Sequence, residues 1–559
     1  MKKNISVFIA NTQKYVEAEG GSTLVEVLGS MEQPLGFCPA CALVNNKIEA
    51  LGFPLFTPKT VEFLPLDSPD GNRTYVRSLC MMLYHAVHSL FSGARLRIEH
   101  SLSNGYFCRI DGPEGPIEMS EEAVVRIERH MRRLVERALP FVRSERRTEE
   151  VIEIFRRQGL DDKVTLLSTL HELYTVYYTL DGLSDSYYGP LVPDTSLLSV
   201  FSLRPLNGGL LLAGRSVKDV AVTAHYEPQP KMFQAFMDYV SFNRILEIST
   251  VGELNLKVMK GQSREVINIS EALHNNRIAA IATEITRRFH EGGARVVMIA
   301  GPSSSGKTTF TKRLAIQLMT NLLKPKMISL DDYFVDRERT PRDADGEFDY
   351  ESLYALDLAV FNDHINRLIA GEEVELPYYN FATGMREYRG NRIRLSPDNI
   401  LLIEGIHGLN PELTRSVPEN MKFRVYVSAL TTISIDDHNW IPTTDNRLLR
   451  RIIRDAKYRN VTPAETIRRW PSVRRGENRW IFPYQENADV MFNSALLFEL
   501  GVMKDRADAL LRSVPHDERE YAEASRLRRF LSYFQSIPVD YVPSTSLLRE
   551  FLGGSSFRY

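Results

Sequence analysis

Residues 296–310, VVMIAGPSSSGKTTF, run from an apolar stretch directly into the Walker A pattern Gly301-x-x-x-x-Gly306-Lys307-Thr308. An apolar, β-branched run before a glycine-rich turn and a helical pattern predicts a strand, a loop and a helix. In such a loop the backbone amides surround phosphate oxygens, and the N-terminal end of the helix adds positive potential. The stretch therefore predicts a nucleoside triphosphate site within an α/β fold.

The neighbouring sequence extends this fold in both directions. Apolar runs recur as KPKMISL, NILLIEGI and KFRVYVSA, with helical patterns between them and the helical pattern ISEALHNNRIAAIATEITRRF ahead of them. Strands covered by helices on both faces have this continuous apolar character. We therefore predict a P-loop domain with a parallel sheet over residues 270–510, followed by a C-terminal helical tail over residues 511–559.

Length and composition restrict the remaining classes. A chain of 559 residues is too long for one core and suggests roughly three to four domains. The net charge of −2 argues against a protein built around binding nucleic acid. No apolar run is long enough to span a bilayer, and four cysteines do not suggest a disulfide scaffold, so a cytoplasmic location is expected. Cys38 and Cys41 form a C-x-x-C without a second ligand pair, which favours incidental thiols over a zinc site.

The N-terminal half divides into two predicted units. Residues 1–66 read as a small mixed module, with a hairpin in ISVFIA and KYVEAEG and a capping box of Thr23 and Glu26 before the helix TLVEVLGS. We predict a turn-rich connector over DSPDGNRT, residues 67–74. Residues 67–255 are predicted to be α+β, with helices in VRSLCMMLYHAVHSLF and SEEAVVRIERHMRRLVERAL and strand pieces in NGGLLLAG and AVTAHY.

The phosphate loop assigns roles to its residues. Lys307 is expected to reach the β and γ phosphates of ATP, and the Thr308 hydroxyl is expected to bind Mg²⁺. The predicted ATP-binding residues of the loop are Gly301, Pro302, Ser303, Ser304, Ser305, Gly306, Lys307, Thr308 and Thr309.

Carboxylates follow two of the predicted strands. Asp331 and Asp332 come after KPKMISL, and Glu404 ends the run NILLIE. Because the carboxyl ends of parallel strands share one edge, Asp331 should face the loop and could accept a proton from a substrate hydroxyl, help to hold Mg²⁺, or both. Glu404 is predicted as a metal-orienting carboxylate, with a helix-capping glutamate as the alternative. One of the two aspartates could merely cap a turn, a role that suits Asp332 better.

A basic helix is predicted in DNRLLRRIIRDAKYRN. Its arginines are Arg447, Arg450, Arg451, Arg454 and Arg459. A basic face is usually just solvated. In a phosphotransferase it would instead form a lid, with Arg451, Arg454 and Arg459 on ATP and Arg454 joining Lys307 in neutralising the developing charge.

In these motifs, residues 295–496 resemble the uridine kinase and phosphoribulokinase family of P-loop kinases. The resemblance implies that Asp331 is the catalytic aspartate and that Asp349, in GEFDYESLYALD, holds ribose hydroxyls. The stretch LPYYNFATGMRE resembles the family's Pro-x-Tyr-x-Phe segment, at Pro377, Tyr379 and Phe381, with Arg386 downstream. By this resemblance the residues that line the acceptor side are Asp349, Tyr379, Phe381 and Arg386.

Two positions depart from the uridine kinase pattern. Gly384 stands where that family has a histidine that contacts the pyrimidine, and Val461 stands near its base-reading lid arginine. The resemblance therefore implies phosphorylation of a hydroxyl more strongly than it implies uridine as the acceptor.

The N-terminal half is similar to threonyl-tRNA synthetases. Residues 1–66 resemble their small ubiquitin-like TGS domain, while LYHAVHSLF, NGYFCRIDG and DSYYGPLVP resemble their editing domain. That domain's two histidines, cysteine and further histidine fall here on Arg77, Met81, Tyr187 and Leu191. The resemblance implies a degenerate editing site, with His85 as a packed helix residue, and the whole chain resembles fused uridine kinase-like proteins.

These observations lead to an expected function and its rivals. The first expectation is an ATP- and Mg²⁺-dependent kinase of a small hydroxyl-bearing substrate, foremost a nucleoside and next a sugar, sugar phosphate or other polyol. A nucleotide-dependent switch linked to RNA or the ribosome, without an acceptor, is the rival from another class, and RIERHMRRLVER is its candidate basic patch. An RNA contact through the N-terminal half and a homo-oligomer are left open, and no membrane partner is expected.

Overall fold

The computed structural model describes residues 4–216, 219–343 and 345–558. Its first unit comprises β1 (Asn4–Ile9), β2 (Lys14–Glu19), β3 (Ser22–Thr23), α1 (Leu24–Gly29), β4 (Pro39–Val44), β5 (Lys47–Glu49), β6 (Pro54–Leu55) and β7 (Thr60–Pro65). The main sheet has the order β2-β1-β7-β4-β5, with β1 parallel to β7. The hairpin of β1 and β2 is confirmed, and so is the capping box of Thr23 and Glu26 that opens α1.

The second unit mixes helices with antiparallel strands. It comprises α2 (Pro69–Leu90), β8 (Arg95–Leu102), β9 (Gly105–Gly112), β10 (Gly115–Pro116), α3 (Glu121–Arg137), β11 (Val142–Arg147), α4 (Thr148–Arg157), α5 (Asp161–Ser168), β12 (Tyr174–Leu180), β13 (Leu183–Asp185), β14 (Ser202–Leu206) and β15 (Gly209–Ala213). One sheet has the order β10-β9-β15-β14 with β8 also on β9, and the other has the order β11-β12-β13. The α+β character of this half is thus as predicted.

Two local predictions in this half were wrong. Most of the predicted connector 67–74 is the start of α2, because the Ser68 hydroxyl accepts from the Gly71 amide and Pro69 occupies the first helical position. The run AVTAHY, residues 221–226, forms no strand and takes part only in an isolated bridge between Arg215 and Thr223.

The connecting and kinase-like parts follow. The connecting helices are α6 (Pro230–Ile245), α7 (Val251–Met259) and α8 (Ser263–His290). The next elements are β16 (Val296–Ala300), α9 (Lys307–Thr320), β17 (Lys324–Ser329), α10 (Leu358–Ile369), β18 (Val374–Asn380), β19 (Met385–Ile393), β20 (Asn399–Glu404), β21 (Lys422–Ser428), α11 (Thr443–Tyr458), α12 (Pro463–Trp480), β22 (Val490–Asn493) and α13 (Glu499–Arg512). The parallel sheet, of order β17-β20-β16-β21-β22, confirms the α/β prediction, and the short strand β22 joins its edge.

The C-terminal segment is part of the kinase-like core. It contains α14 (Tyr521–Ser532) and α15 (Arg549–Leu552). Phe530, Leu547 and Phe551 are fully buried in the same apolar cluster as Val297 and Phe310. Because these contacts bury apolar surface, the last forty residues help to hold the sheet and α9 together.

A buried network of charges joins the two halves of the chain. The Lys163 ammonium lies 2.8 Å from a carboxylate oxygen of Asp185 and 2.9 Å from one of Asp436. His438 Nδ1 lies 2.8 Å from the second Asp185 oxygen, and the Asp437 amide donates to Asp162 at 2.8 Å. Lys163 and Asp185 belong to the synthetase-like half, while Asp436 and His438 belong to the loop between β21 and α11. The halves are therefore fixed to each other by groups that lack access to water.

Within the described ranges, no helix is both long enough and apolar enough to cross a membrane.

Candidate active site

The glycines of the phosphate loop sit where a side chain would not fit. Gly306 has φ = 86° and caps the N-terminus of α9. A Cβ at Gly301 would lie 2.0 Å from the Val427 carbonyl oxygen of the adjacent strand β21. The backbone can therefore turn tightly between β16 and α9. The first amide groups of α9 then point toward the loop, where they could donate hydrogen bonds to a bound anion.

Lys307 extends over this loop. Its ammonium donates to the Pro302 carbonyl at 3.2 Å. Burial lowers the pKa of Lys307, while the nearby carboxylates of Glu404 and Asp331 act in the opposite direction. The loop lysine thus lies between the two carboxylates that end β20 and begin the turn after β17.

Thr308 and Glu404 meet at the end of the central strands. The Thr308 hydroxyl lies 3.0 and 3.1 Å from the two carboxylate oxygens of Glu404. Burial raises the pKa of Glu404 to about 7, and Lys307 opposes that shift. Residues 405–409 form turns, so the alternative that Glu404 caps a helix is wrong. A hydroxyl beside a buried carboxylate is a set of hard oxygen donors that fits Mg²⁺.

Asp331 lies in a 3-10 turn, Leu330–Tyr333, directly after β17. Its side chain reaches solvent at the edge of the cleft, yet crowding by protein raises its pKa, against the effects of Lys307, Arg459 and Arg454. Asp332 accepts a hydrogen bond from the Tyr379 amide at 3.2 Å and so fastens the β18 strand. The two neighbouring aspartates therefore differ, since Asp331 faces the phosphate loop and Asp332 has a structural partner.

The arginines of α11 divide into two groups. Arg447 and Arg450 are buried, with Arg447 bonded to Glu477 and Arg450 bonded to Glu499, so they are not a solvated face. Arg447 also donates to the Ser303 carbonyl at 2.9 Å.

Arg451, Arg454 and Arg459 lie on the open side of the same helix and its exit. Arg451 donates to the Ser303 hydroxyl at 3.0 Å, which places it on the loop. Arg454 pairs with Asp455 at 2.9 Å, and Arg459 lies 3.5 Å from the same carboxylate. Burial, with Arg454 adding to it, lowers the pKa of Arg459 to about 10. Three positive charges thus converge beside the loop with one carboxylate among them.

Glu477 of α12 is a contact that the sequence patterns did not reveal. It is fully buried, accepts from Arg474 at 2.7 Å and from the Ser303 amide at 3.3 Å, and binds Arg447. Burial alone would raise the pKa of Glu477, but Arg447 and Arg474 together lower it below its usual value. Glu477 therefore fixes the position of the lid helices relative to the loop.

Glu351 and His407 are two further groups that the sequence patterns did not indicate. Burial raises the pKa of Glu351 to about 7, Glu477 adds to this, and Arg451 and Lys307 oppose it. His407, three residues after Glu404, is 2% exposed, and burial lowers its pKa to about 4. One oxygen of Glu351 and both ring nitrogens of His407 have no hydrogen-bond partner among the described residues. Their only sequence signal is their closeness to Asp349 and Glu404.

The predicted acceptor residues lie around an aromatic group. Asp349 accepts from the Glu351 amide at 3.1 Å. The Tyr379 ring is buried against Phe334, with centroids 5.5 Å apart, and the Arg337 guanidinium lies near its hydroxyl. Phe381 packs edge-on against Tyr379 at 5.0 Å and is 57% exposed. The predicted acceptor residues thus include an exposed aromatic ring, that of Phe381, and a carboxylate, that of Asp349.

Arg386 is engaged by a protein carboxylate. Its guanidinium donates to Asp357, at the N-terminus of α10, at 2.9 Å. A Cβ at Gly384 would lie 2.7 Å from Arg337 Nε, so the arginine occupies the space beside that glycine. Arg337 also donates to the Phe381 carbonyl at 2.6 Å. Arg337 therefore holds the turn between β18 and β19, while Arg386, which was predicted to line the acceptor side, is paired with Asp357.

The positions that correspond to the synthetase editing residues are all buried. Arg77, Met81, Tyr187 and Leu191 are each at most 4% exposed. His85 hydrogen-bonds His130 at 3.2 Å and is 7% exposed, as expected for a packed residue. In the described part of the chain, no cluster of three or more His, Cys, Asp or Glu side chains is arranged to hold a metal ion.

Comparisons with known proteins agree with this division of the chain. The model of a family described as the Phosphoribulokinase / Uridine kinase family matches residues 296–496. A uridine kinase of Anoxybacillus flavithermus is 28% identical over 197 residues, which are 35% of this chain and 84% of that protein. A uridine kinase of Deinococcus deserti is 27% identical over 197 residues, 35% of this chain and 86% of that protein.

A second set of relatives matches the N-terminal part. A threonine–tRNA ligase of Desulforamulus reducens is 31% identical over 189 residues, which are 34% of this chain. The aligned residues span 29% of the length of that ligase. The chain therefore combines a P-loop kinase segment with an N-terminal segment similar to less than a third of a threonine–tRNA ligase.

Proposed function

We propose, because residues 296–496 form a domain of the Phosphoribulokinase / Uridine kinase family, that this chain transfers the γ-phosphate of ATP to a hydroxyl of a nucleoside. The observation that carries the proposal is the meeting of Lys307, Thr308 and Glu404 at the ends of β16 and β20, with Asp331 at the end of β17 facing Lys307. A site that only sensed ATP would not need a carboxylate at the position of Asp331.

The phosphate side has its own division of labour. Thr308 and Glu404 would hold Mg²⁺, which when bound neutralises charge on the phosphates. Lys307 and the amides of the loop would hold the β and γ phosphates, and Arg451, Arg454 and Arg459 would approach them from the lid. Glu477 supports this side by fixing the Ser303 amide and Arg447.

Asp331 is the proposed acceptor of the hydroxyl proton. Its raised pKa brings it closer to the pKa that proton transfer requires at neutral pH, because a base with a very low pKa takes up a proton poorly. Lys307 and Arg454 keep its ionised form accessible.

The acceptor side favours a nucleoside. The exposed ring of Phe381 offers a face on which a planar base can stack, and Asp349 offers a carboxylate for ribose hydroxyls. A sugar, sugar phosphate or other polyol is the second candidate, since Asp349 would serve its hydroxyls equally. Two features argue against the base contacts of uridine kinases: Gly384 lacks a side chain, and Arg386 is paired with Asp357.

The proposed role of the N-terminal half is to position the kinase segment. An RNA contact through this half is a second possible role. The relatives of this half are threonine–tRNA ligases, and Arg126, Arg129 and Arg133 of α3 are exposed. Editing chemistry is not proposed, because buried Met81 and Leu191 offer no ligand for a metal or for a water molecule.

The test is ATP consumption by the full chain across a panel of nucleosides, sugars, sugar phosphates and polyols, with the phosphorylated product identified. Asp331→Asn is assayed beside the wild type because it keeps the shape and removes the base. We expect one class of acceptor to accelerate ATP turnover and Asp331→Asn to lower that acceleration by about 100-fold or more. If no acceptor helps, and Asp331→Asn hydrolyses ATP as fast as the wild type, the kinase proposal fails and an RNA-linked switch replaces it.

A further inference from the structure

A cavity that contains no residue of the phosphate loop lies where three parts of the molecule meet. It has a volume of about 720 Å³ and is enclosed by β5 of the first unit, by β12 and the segment 188–190 of the second unit, and by α13 and α14. Of the described residues that line it, eight are Lys or Arg and four are Asp or Glu. A cavity of this size at a junction of domains is within the range that small ligands occupy.

Arg77 forms the deepest positive charge of this cavity. Its side chain is 4% exposed, donates to the Pro190 carbonyl at 3.1 Å and lies 5.1 Å from the centre of the Tyr188 ring. No carboxylate in the described ranges pairs with it. A Cβ at Gly189 would lie 2.4 Å from Arg77 Cζ, so the glycine leaves room for the guanidinium. Because arginine keeps its charge, such a buried and unpaired guanidinium is costly unless an anion reaches it.

Arg529 on α14 provides a second positive charge without an ion pair. It is exposed to the cavity and forms no ion pair with a described residue, whereas Arg528 beside it pairs with Asp508 at 2.8 Å. Arg526 is also satisfied, through Asp445 and Glu523. Arg77 and Arg529, like Lys504, therefore form no ion pair with a described carboxylate, although the carboxylates of Glu49 and Glu172 act on Arg529 and help to raise its pKa.

We propose that this cavity binds a small phosphate-bearing molecule through Arg77 and Arg529. Phosphate oxygens accept hydrogen bonds from the forked N–H groups of guanidinium, and the two arginines that line the cavity come from different helices, one from α2 and one from α14. The ligand would supply the negative charge that the carboxylates of the lining do not.

A ligand bound in the cavity would affect α11, the lid helix of the kinase segment. Arg526 lines the cavity and also donates to both oxygens of Asp445, at 2.7 and 2.9 Å. Asp445 lies in the first turn of α11, the helix whose Arg451 contacts the loop hydroxyl of Ser303. A ligand on α14 would thus change the affinity for ATP, and ATP would change the affinity for the ligand by the same factor.

The experiment is isothermal titration of the full chain with inorganic pyrophosphate, after the phosphate loop has been saturated with Mg²⁺ and a non-hydrolysable ATP analogue. We expect one equivalent of pyrophosphate to bind, and the affinity to fall by about 10-fold or more in Arg77→Met and in Arg529→Gln. Arg519→Gln, which removes an exposed arginine just before α14, is the matched control and should bind as the wild type does. Thermal unfolding of each variant establishes that it is folded, and the exposed Arg529 keeps the test decisive if Arg77→Met is not.

Titration of the Lys307→Ala protein with pyrophosphate, in the absence of the ATP analogue, separates this site from the phosphate loop. Pyrophosphate binding that survives in Lys307→Ala but is lost in Arg529→Gln supports the cavity, whatever the outcome for the kinase activity. Binding that is lost in Lys307→Ala and unchanged in Arg529→Gln overturns the proposal. Binding of a short oligoribonucleotide without binding of pyrophosphate also overturns it, in favour of a nucleic-acid surface.

Discussion

The carboxylate of Glu550 accepts a hydrogen bond from the Thr309 hydroxyl at 2.6 Å and one from the Thr309 amide at 3.2 Å. Thr309 lies in the first turn of α9, and Glu550 lies in α15 near the end of the chain. Leu547 packs beside Gly306, where a Cβ would lie 2.4 Å from it. A helix N-terminus attracts anions. The Glu550 carboxylate therefore accepts a hydrogen bond from the Thr309 amide, which could otherwise donate to a phosphate.

Glu550→Gln should strengthen the binding of ATP. The substitution keeps the shape of the side chain and removes a negative charge from the phosphate loop, where it acts on Lys307 and Glu404. We expect the dissociation constant of a non-hydrolysable ATP analogue to fall by about threefold to tenfold, as measured by calorimetry at low salt. Glu136→Gln, an exposed glutamate of α3, is the control. Unchanged or weaker binding in Glu550→Gln would show that the carboxylate orders the loop rather than competing with phosphate.

Glu404→Gln should raise the requirement for Mg²⁺. The amide can still hydrogen-bond the Thr308 hydroxyl, but it no longer carries the charge that favours a divalent cation. The half-saturating Mg²⁺ concentration for ATP turnover should rise by about 10- to 100-fold. Asp332→Asn is a suitable comparison, because Asp332 accepts a hydrogen bond from the Tyr379 amide. This substitution should leave the half-saturating Mg²⁺ concentration unchanged. A Glu404→Gln protein with the Mg²⁺ dependence of the wild type would remove this residue from the metal site.

Local patterns were sufficient to predict much of the fold. The apolar runs predicted β16, β17, β20 and β21 because strands buried on both faces need no alternation. The start of α2 was missed because Pro69 and Gly71 suggest a turn, whereas Ser68 caps a helix with proline at its first position. The short strand β22 carries too few residues for its pattern to be distinctive.

The site was predictable only where its residues follow a strand or belong to the loop. Glu404 and Asp331 were found because parallel strands end at one edge. Glu550 lies 241 residues from its partner Thr309, and the pairing of Arg386 with Asp357 depends on how the β18–β19 hairpin folds over α10. No local pattern carries such contacts, so they required the structure.

Glu351→Gln should stabilise the protein at alkaline pH. Burial raises the pKa of Glu351 to about 7 in the folded state, from an unfolded value near 4.5. A carboxyl group with a raised pKa contributes stability that is present below pH 4.5 and is lost as the pH rises through 7. Glutamine resembles the protonated form at every pH, so the free energy of unfolding of Glu351→Gln should exceed that of the wild type by about 1–3 kcal/mol at pH 8 and match it near pH 3.5.

Denaturant unfolding of the ligand-free protein across this pH range is the measurement. Glu338→Gln, an exposed glutamate of the same segment, should change the free energy of unfolding by less than about 0.5 kcal/mol at each pH. A difference for Glu351→Gln that does not vary with pH would mean that this carboxyl titrates as it does in the unfolded chain.

Lys163→Met should destabilise both halves of the chain together. Removal of the ammonium leaves Asp185 and Asp436 buried without their shared cation, and loss of one partner from a buried ion group costs about 3–5 kcal/mol. Lys163 belongs to the synthetase-like half. Trp470 and Trp480 report on the kinase half, whereas Trp440 packs against Tyr106 in the core of the synthetase-like half and is therefore replaced by phenylalanine in both proteins compared. The unfolding transition followed by tryptophan fluorescence should therefore move to lower denaturant concentration in Lys163→Met. It should coincide with the transition followed by circular dichroism.

The comparison that isolates burial is Lys324→Met, since Lys324 pairs with Asp398 on the surface, where an ion pair contributes at most about 1 kcal/mol. If the tryptophan transition of Lys163→Met stays where it is in the wild type while the circular dichroism shifts, the halves unfold independently. In that case the contacts of Lys163 and Asp185 with Asp436 and His438 would not couple the unfolding of the two halves. A common shift would instead mean that the kinase segment depends on the N-terminal half for its stability, because the only substituted group lies outside it.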